Sequence, residues 1–597
     1  MRQFIQQTFA SIIGTLAGLI LFATLGISGL VLLIVSASLE AEGPNVKDKS
    51  VLVFDLSTQI ADTEPPATFT EAIAGEAAAT IALREVLEAI EKATEDDRII
   101  AIFLDGSGEG GGSGYATLRE VRTALQEFQD AGKEIIAYDV DFSEKEYYVA
   151  SIADTVVLNP MGAMELNGLS SEQLFLAGAL DRYGIGVQVV RVGNYKAAVE
   201  PFIRQELSPE NRQQTQALLA DLWQEFVGTV GESRELKPQE LQAIANTKGL
   251  LLPEEAQQQG LVDRVAYFDE VVADLKELTE AKEKDKSFKQ IRLENYGDVA
   301  LRNSRDRSSE NKIAVVYAEG AIVTGQGGVQ QVGSDRFAQE LRKLRRDEDV
   351  KAVVLRVNSP GGSATASDII LRELKLIKDE KPLIVSMGDV AASGGYWIAT
   401  AASQIFAEPN TITGSIGVFG LLPNVEELAN ENGITWDVVR TNNLANLDTI
   451  ARPKTEAELA IYQRFVNQVY NQFLNLVAEA RNLPPERVAQ IAQGRVWSGE
   501  DAKQIGLVDQ IGGIDAAINY AAEEAKLGDD WEVQEYPYIQ SFEERLVKKL
   551  TGSSIKQENV DPLTKEFRKL KQDLAILQSL NDPRGIYTLL PFDLRIK

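Results

Sequence analysis

Short hydrophobic runs rich in β-branched residues alternate with helical segments along most of the chain. In the first half the runs are VLVFDL (51–56), IIAIFL (99–104) and EIIAYDV (134–140). In the second half they are IAVVYAEG (313–320), KAVVLRV (351–357) and PLIVSMG (382–388). This alternation is typical of the α/β class, so the sequence predicts α/β domains.

One hydrophobic segment near the amino terminus has a different pattern. No charged residue occurs from Ile12 to Ser38, a stretch longer than the roughly 20 residues that cross a bilayer. A cleavable signal peptide has a shorter apolar stretch, and a long globular helix usually keeps a polar side. We therefore predict an uncleaved anchor that holds residues 12–38 in the lipid bilayer. Arg2 precedes it and Glu40 and Glu42 follow it, which predicts a cytoplasmic amino terminus and places the bulk of the chain on the opposite face of a plasma or internal membrane.

The two halves of the chain repeat each other. The segment 147–160, YYVASIADTVVLNP, aligns with 396–409, YWIATAASQIFAEP. The segment 189–198, VVRVGNYKAA, aligns with 438–447, VVRTNNLANL. Both alignments have the same offset of 249 residues without a gap, which predicts a tandem duplication of two similar domains.

Five regions follow from these patterns. They are an N-terminal membrane anchor (1–45), a first domain (46–278), a charged linker (279–312), a second domain (313–545), and a C-terminal helix with a tail (546–597). The linker is placed where hydrophobicity drops and turn residues cluster. In the last region, one helical face predicts docking onto the protein body or a neighbouring subunit, and it carries Phe567, Leu570, Leu574 and Leu577.

Composition excludes several kinds of function. The formal net charge of −29 argues against a nucleic-acid partner, because phosphate binding needs a surplus of Lys and Arg on one face. The chain contains neither His nor Cys. Zinc, haem and iron–sulfur sites therefore lose their usual ligands, and Ser/His/Asp and Cys/His catalytic arrangements are excluded. The sequence predicts no cofactor and no metal site.

Ser393 is the candidate nucleophile. It lies in GDVAASGGYWIAT (388–400), where alanines and glycines leave space around its hydroxyl and a helix begins directly after it. The free N–H groups at such a helix start can stabilise an oxyanion. A serine hydroxyl stays a weak nucleophile until a base takes its proton, and the chain has no histidine to do so. A lone serine among glycines is also typical of a tight helix–strand contact, but the neighbours of Ser393 favour a function.

The repeat suggests which residue supplies the base. Ser393 aligns with Glu144 of the first half, and Lys196 of the first half aligns with Ala445 of the second. Each half thus keeps one polar group, so we predict that Lys196 reaches Ser393 from the other domain. Its amine would have to be neutral, which requires burial to lower a pKa of about 10.4 by about two to three units. Glu200 would oppose this shift if its carboxylate pointed the same way.

Two glycine-containing loops complete the candidate site. Gly361 and Gly362, in VNSPGGSATAS (357–367), allow backbone N–H groups to approach a substrate carbonyl, as an oxyanion hole requires. Ser415, in TITGSIGVFG (411–420), could hold a neutral lysine amine in line with Ser393. Each loop taken alone is also typical of an ordinary turn.

The motifs GNYKAAVEPF, NSPGG, GDVAASGGYWIA and TGSIGV, in this order along a duplicated and anchored chain, resemble the long form of the signal peptide peptidase A family. The resemblance covers nearly the whole chain from about residue 50. It implies two tandem ββα domains of the crotonase and caseinolytic-protease type, following the transmembrane helix. It also implies a homo-oligomer, namely a tetramer, that degrades cleaved signal peptides and other membrane-associated or unfolded polypeptides through an acyl-enzyme.

The same resemblance implies a role for each candidate residue. Ser393 corresponds to the nucleophile, Lys196 to the general base, and Ser415 to the serine that orients the lysine. The region of the oxyanion hole corresponds to Gly361, Gly362 and Gly394. The expected function is therefore a membrane-anchored serine endopeptidase with a Ser/Lys dyad.

Two other functions stay open on the sequence alone. A crotonase-type enzyme acting on acyl-CoA shares this fold and its glycine-rich loops, but it needs acid–base carboxylates, for which Glu144 is the candidate. A non-catalytic membrane scaffold is the other alternative. The retention of one serine and one lysine in complementary halves argues against a scaffold.

Overall fold

The structure is a computed structural model, and it describes most of the chain between residues 46 and 590. The described ranges are 46–64, 80–108, 112–282, 284–297, 309–328, 330–536, 580–582 and 584–590. The predicted anchor (12–38) and residues 546–579 of the predicted C-terminal region lie outside them. None of the described helices is both long enough and apolar enough to cross a membrane.

The first half of the chain builds a seven-stranded sheet. Six of its strands lie in the spatial order Gln290–Arg292, Ser50–Asp55, Ile99–Asp105, Glu134–Phe142, Thr155–Leu166 and Gly249–Leu251. Neighbouring strands run parallel except for the last pair, and Arg264–Val265 pairs alongside Thr155–Leu166.

The second half builds an eight-stranded sheet of the same kind. Six of its strands lie in the spatial order Val496–Ser498, Ile412–Gly414, Leu383–Ala392, Val350–Ser359, Lys312–Glu319 and Glu532–Tyr536. Gln404–Ala407 also pairs with Leu383–Ala392, and Gln510–Ile511 pairs with Gln404–Ala407. Residues 313–318 of one strand are all buried, as continuous apolar runs are when helices cover both faces of a parallel sheet.

Helices cover the two sheets in a repeated arrangement. Tyr115–Asp130 and Ala364–Lys378 begin at positions separated by the repeat offset of 249 residues. The other helices of the first half are Leu83–Glu95, Glu144–Ala150, Ala177–Arg182, Glu200–Ile203, Pro209–Ser233, Pro238–Thr247, Pro253–Gln258 and Phe268–Leu278. Those of the second half are Ser334–Arg346, Gly394–Ala399, Glu426–Glu431, Glu456–Arg481, Pro485–Ile491, Gly499–Gln504 and Ile514–Glu524.

A third sheet joins strands from both halves and from the C-terminal tail. Its spatial order is Gln331–Gly333, Ala321–Val323, Gly361–Ser363, Ile586–Leu589, Val418–Asn424 and Gly186–Val192. The last two strands run antiparallel, with Val192 opposite Val418 and Gly186 opposite Asn424. A small separate sheet pairs Gln59–Ala61 with Thr80–Ala82. The third sheet is important for function because it carries a strand of the first half into the second half.

The two halves also share a hydrophobic core. Ile90 and Leu125, on helices of the first half, belong to the same buried cluster as Ile313, Val315 and Val354, on strands of the second. The first half therefore covers one face of the second sheet, and the relative position of the halves is fixed by packing.

The segment predicted as a linker, 279–312, is only partly a connection. Gln290–Arg292 is an edge strand of the first sheet, with Gln290 opposite Val51. Ile291, Leu293 and Tyr296 are buried, which explains the pairing, because these few apolar positions enter the core of the first half. The high charge of their neighbours obscured this pattern in the sequence.

A buried ion cluster fastens the halves together. Arg356, on a strand of the second half, donates to Asp62 at 2.8 Å and to Glu120 at 2.6 Å, and both carboxylates belong to the first half. All three side chains are buried. Removing one partner of such a cluster leaves an uncompensated buried charge, which costs much more than the intact cluster gains.

We therefore expect Arg356→Met to lower the free energy of unfolding by about 3–5 kcal/mol. Urea unfolding followed by tryptophan fluorescence measures the change. The matched control is Arg345→Met, because Arg345 pairs with the half-exposed Glu380 near the surface and should contribute less than about 1 kcal/mol. Equal shifts in the two variants would show that the buried cluster does not hold the halves together.

Candidate active site

Ser393 lies at the sharp turn between the strand Leu383–Ala392 and the helix Gly394–Ala399. Its φ of 55° and ψ of −108° are strained values for a residue with a side chain. Hydrogen bonds hold this backbone in place, because the Ser393 N–H donates to the Gly414 carbonyl at 2.8 Å and its carbonyl accepts from Trp397 at 2.8 Å. The turn thus fixes the direction of a fully buried hydroxyl.

Lys196 comes from the first half and is delivered by the shared third sheet. It follows the strand Gly186–Val192, and the Tyr195 N–H next to it donates to the Gln493 carbonyl at 3.0 Å. Gly494 makes this approach possible, since a Cβ there would lie 2.6 Å from the Cβ of Lys196. The lysine side chain consequently enters the second half and is fully buried there.

The structure brings Lys196, Ser393 and Ser415 together. The Lys196 Nζ lies 2.7 Å from the Ser393 Oγ, 3.0 Å from the Ser415 Oγ and 2.9 Å from the Ser415 carbonyl oxygen. A neutral amine has two N–H donors and one lone pair. These three contacts suit it if the amine donates to both oxygen atoms of Ser415 and accepts the hydroxyl proton of Ser393.

Burial lowers the pKa of Lys196 well below its ordinary value of 10.5. Glu200, which the sequence left in question, does not oppose this. Its Oε2 accepts hydrogen bonds from the Ser208 N–H at 3.2 Å and from the Asn211 side chain at 3.0 Å. Among the described residues, no carboxylate forms a hydrogen bond or ion pair with the Lys196 amine. Desolvation therefore favours the uncharged form that a general base requires.

The predicted oxyanion glycines lie on two adjoining segments. A Cβ on Gly361, whose φ is 94°, would lie 2.6 Å from the Gly394 nitrogen, so only glycine leaves that amide open. The Gly361 N–H itself donates to the Ser359 Oγ at 3.2 Å. Gly362 lies in the third sheet, opposite Ile322 and Thr588. The structure places Gly361 and Gly394 next to each other, and the assignment of all three glycines to an oxyanion hole stays a prediction.

The position of the first half that is related to Ser393 by the repeat holds a carboxylate in place of the serine. Glu144, the counterpart of Ser393, accepts hydrogen bonds from the backbone N–H groups of Asn167 at 2.6 Å and Gly168 at 2.7 Å. Burial raises the pKa of this carboxyl group. Its oxygen is committed to these backbone groups, which is typical of a structural role and disfavours the acyl-CoA alternative. In the described part of the chain, no group of three or more carboxylates is placed to hold a metal ion.

The C-terminal strand Ile586–Leu589 is the part of the site that sequence reasoning missed. It lies in the third sheet between Gly361–Ser363 and Val418–Asn424. All four of its residues are buried. The only signal in the sequence was a short apolar run, GIYTLL, without a partner strand that could be identified.

Models of known protein families match segments in both halves of the chain. The model of peptidase family S49 matches residues 127–282 and again residues 375–528. The model of Clp protease matches residues 304–413. Both S49 matches contain residues of the described site, since Lys196 falls in the first and Ser393 in the second. The matches show two tandem S49 repeats with a Clp-protease-like α/β fold.

Three curated relatives resemble most of the chain. Protease 4 of Salmonella typhi is 37% identical over 520 residues, which cover 85% of this chain and 83% of the relative. Protease 4 of Haemophilus influenzae is 38% identical over 519 residues, which cover 84% of each. The chloroplastic serine protease SPPA of Arabidopsis thaliana is 32% identical over 487 residues, which cover 81% of this chain and 70% of the relative.

Proposed function

The chain belongs to peptidase family S49, and on this premise we propose that it is a serine endopeptidase whose catalytic dyad is Ser393 and Lys196. The observation that carries the proposal is the 2.7 Å contact between the Lys196 amine and the Ser393 hydroxyl. The names of the relatives support a serine-type protease. The repeat supports a single dyad shared between the halves, because each half holds one of its two groups.

The geometry supports the following steps. The Ser393 Oγ attacks the carbonyl carbon of the scissile peptide bond while its proton passes to the Lys196 amine. The carbonyl electron pair moves to oxygen, and the Gly394 N–H, beside Gly361, donates to the resulting oxyanion. When the C–N bond breaks, the Lys196 ammonium returns the proton to the leaving nitrogen. Water, deprotonated by Lys196, then hydrolyses the ester on Ser393 and restores both residues.

Ser415 supports this cycle by holding the lysine. Its carbonyl and hydroxyl oxygens accept both N–H donors of the neutral amine, so the remaining lone pair points at Ser393. The positive φ of Ser415, 51°, presents both oxygens to the same amine. We propose that Ser415 is a positioning residue, as the resemblance implies.

Covalent labelling tests the proposed function. The full-length protein, treated with a peptidyl phosphonate that has an aliphatic residue next to phosphorus, is expected to carry one adduct, on Ser393, in peptide mass spectrometry. Ser393→Ala should abolish the adduct. Ser403→Ala should keep it, because the Ser403 hydroxyl only donates to the Leu383 carbonyl. Absence of the adduct would favour the scaffold alternative, and turnover of acyl-CoA would favour the crotonase alternative.

We propose cleaved signal peptides and other membrane-associated or unfolded polypeptides as the substrates. The uncharged segment 12–38 supports this choice, since an anchor there would hold the peptidase beside the membrane with its catalytic domains on the face opposite the cytoplasm. Incubation of the full-length protein in lipid vesicles with a hydrophobic signal peptide and with a polar peptide of equal length tests it. Faster cleavage of the signal peptide is expected.

We also propose that copies of the chain associate through residues 435–441. Their counterpart in the first half, Gly186–Val192, pairs with Val418–Asn424, whereas residues 435–441 pair with no strand in the described part of the chain. Val190 is 5% exposed and its counterpart Val439 is 98% exposed. The counterpart of Val418–Asn424 is the segment 169–175. If residues 435–441 paired with residues 169–175 of a second copy, they would repeat between copies the pairing that Gly186–Val192 and Val418–Asn424 make within the chain. Such pairing would support the tetramer that the resemblance implies.

Val439→Asp is therefore expected to lower the assembly mass of the detergent-solubilised protein in sedimentation velocity. A charge at this position would lose the apolar contact that the neighbouring copy provides. Met161→Asp is the matched control, because Met161 is also highly exposed but lies outside both segments. An unchanged mass for Val439→Asp would exclude this interface.

A further inference from the structure

The C-terminal strand Ile586–Leu589 is bound in the third sheet in the way that an extended substrate peptide binds to an enzyme. It runs antiparallel to Gly361–Ser363, with Leu589 opposite Gly361 and Thr588 opposite Gly362. On its other side it runs antiparallel to Val418–Asn424. The Leu590 N–H extends the ladder by donating to the Pro360 carbonyl at 2.7 Å. Backbone hydrogen bonds of this kind are how extended peptides add to an open sheet.

The tail lies beside the glycines that are proposed to bind the oxygen of a substrate carbonyl. A Cβ built on Gly361 would lie 2.2 Å from the Thr588 carbonyl oxygen and 2.6 Å from the Gly394 nitrogen. A Cβ built on Gly394 would lie 3.0 Å from the Thr588 Oγ1. Thr588 is fully buried. The proposed oxyanion glycines therefore face a peptide unit of the chain itself.

The tail side chains fill apolar surfaces next to both members of the dyad. Leu590 packs in a buried cluster that includes Ala392, the neighbour of Ser393. The other buried members of this cluster are Leu218, Leu222, Ile412 and Val496. Tyr587 and Leu589 pack in a cluster with Ala198 and Val199, which follow Lys196. The pocket around Leu590 is thus built from both halves and suits an aliphatic side chain.

A polar anchor fixes the tail upstream of the strand. The buried Asp582 accepts a hydrogen bond from the Ser363 hydroxyl and from the N–H groups of Arg584 at 2.9 Å and Ile586 at 3.3 Å. Asn581 contacts Thr324 through hydrogen bonds of 3.3 Å and 3.2 Å. A carboxylate buried with three donors is a specific attachment, because burial of an unpaired charge would be costly.

We propose that residues 586–590 are a built-in ligand of the substrate position, which an extended peptide with an aliphatic side chain for the Leu590 pocket must displace. This inference rests on the proposed function, since it identifies the occupied position as the substrate position. The tail thereby restrains the peptidase, because only molecules with a displaced tail are competent to bind.

The full-length variants Leu590→Asp and Asp582→Ala test the restraint. Each is expected to accelerate phosphonate labelling of Ser393 by about tenfold or more, since loss of one buried apolar or charged contact raises the displaced fraction by that order. Leu252→Asp is the matched control, because Leu252 is 63% exposed and lies away from the tail. Unchanged or slower labelling in Leu590→Asp would show that the tail is a structural wall of the site and would overturn the proposal.

A binding measurement separates this proposal from the proposed function. A fluorescent peptide with the sequence of residues 581–590 is expected to bind saturably to Ser393→Ala protein that also carries Leu590→Asp. The same peptide should not bind Ser393→Ala protein that carries Leu252→Asp. Binding to both proteins, or to neither, would overturn the tail proposal. Because Ser393 is absent from both proteins, the binding result does not depend on catalysis. Failure of phosphonate labelling in every variant would reject the proposed peptidase function and leave the tail proposal standing.

Discussion

Replacement of Lys196 by methionine is expected to lower kcat/KM for peptide hydrolysis by roughly 10⁴-fold or more. Methionine fills most of the same buried volume but has no lone pair that can take the Ser393 proton. Lys196→Arg should be equally inactive, because a guanidinium stays protonated in proteins. Both rates are measured with a fluorogenic peptide, and near-ultraviolet circular dichroism verifies that the variants keep the native fold.

Lys145→Met is the matched control for this prediction. Burial also lowers the pKa of Lys145, and its Nζ donates to the Ser113 carbonyl at 3.0 Å, outside the dyad. We expect its activity to stay within about threefold of the native protein, because this hydrogen bond involves neither Ser393 nor Lys196. Native-like hydrolysis by Lys196→Met would remove the lysine from the mechanism, whatever the behaviour of the control.

Gly361→Ala is expected to lower kcat by roughly 10²–10³-fold, which is the cost of losing one oxyanion donor. The added methyl would lie 2.6 Å from the Gly394 nitrogen, so it would crowd the amide that is proposed to donate to the oxyanion. The loss should appear in kcat more than in KM, because the oxyanion exists only in the transition state and the tetrahedral intermediate. Steady-state kinetics with the same fluorogenic peptide measure both constants.

Gly132→Ala separates the steric effect from backbone strain. Gly132 has a φ of 86°, close to that of Gly361, but no atom lies within 4 Å of its added Cβ. This variant should lose about 1–2 kcal/mol of stability and keep its activity. If Gly361→Ala also keeps its activity, or if both variants lose it to the same extent, the blocked Gly394 amide is not the cause.

The contact between Lys196 and Ser393 could be anticipated from the sequence because two independent patterns point to this pair. The absence of histidine forces a different base, and the constant repeat offset shows that Lys196 and Ser393 each lack a counterpart in the other half. The alternating apolar runs predict both large sheets, because strands that are buried on both faces cannot carry many polar residues. The membrane anchor and the oligomer stay predictions.

Contacts between distant segments could not be anticipated in this way. The strand Gln290–Arg292 depends on three apolar side chains within a highly charged segment. The close approach of Gly494 to Lys196 is a steric fit between residues far apart in sequence. The tail strand Ile586–Leu589 finds its partners only once the third sheet exists. Local periodicity contains no information on such pairings.

Because the two residues of the proposed dyad come from different halves, we expect stability and catalysis to be linked. Lys196 reaches Ser393 only while Gly186–Val192 pairs with Val418–Asn424, and the buried Arg356 cluster keeps the halves in this position. A variant that loosens the cluster, such as Arg356→Met, should therefore lose activity at urea concentrations at which its sheets are still folded.

The pH dependence of Ser393 labelling tests the central claim most directly, because the claim is that a buried, uncharged amine activates the hydroxyl. Burial favours the neutral amine, so labelling should rise with pH as Lys196 loses its proton, with a midpoint well below the ordinary lysine value of 10.5. This inflection should be absent in Lys196→Met. A midpoint at the ordinary lysine value, or the same inflection in Lys196→Met, would contradict the account.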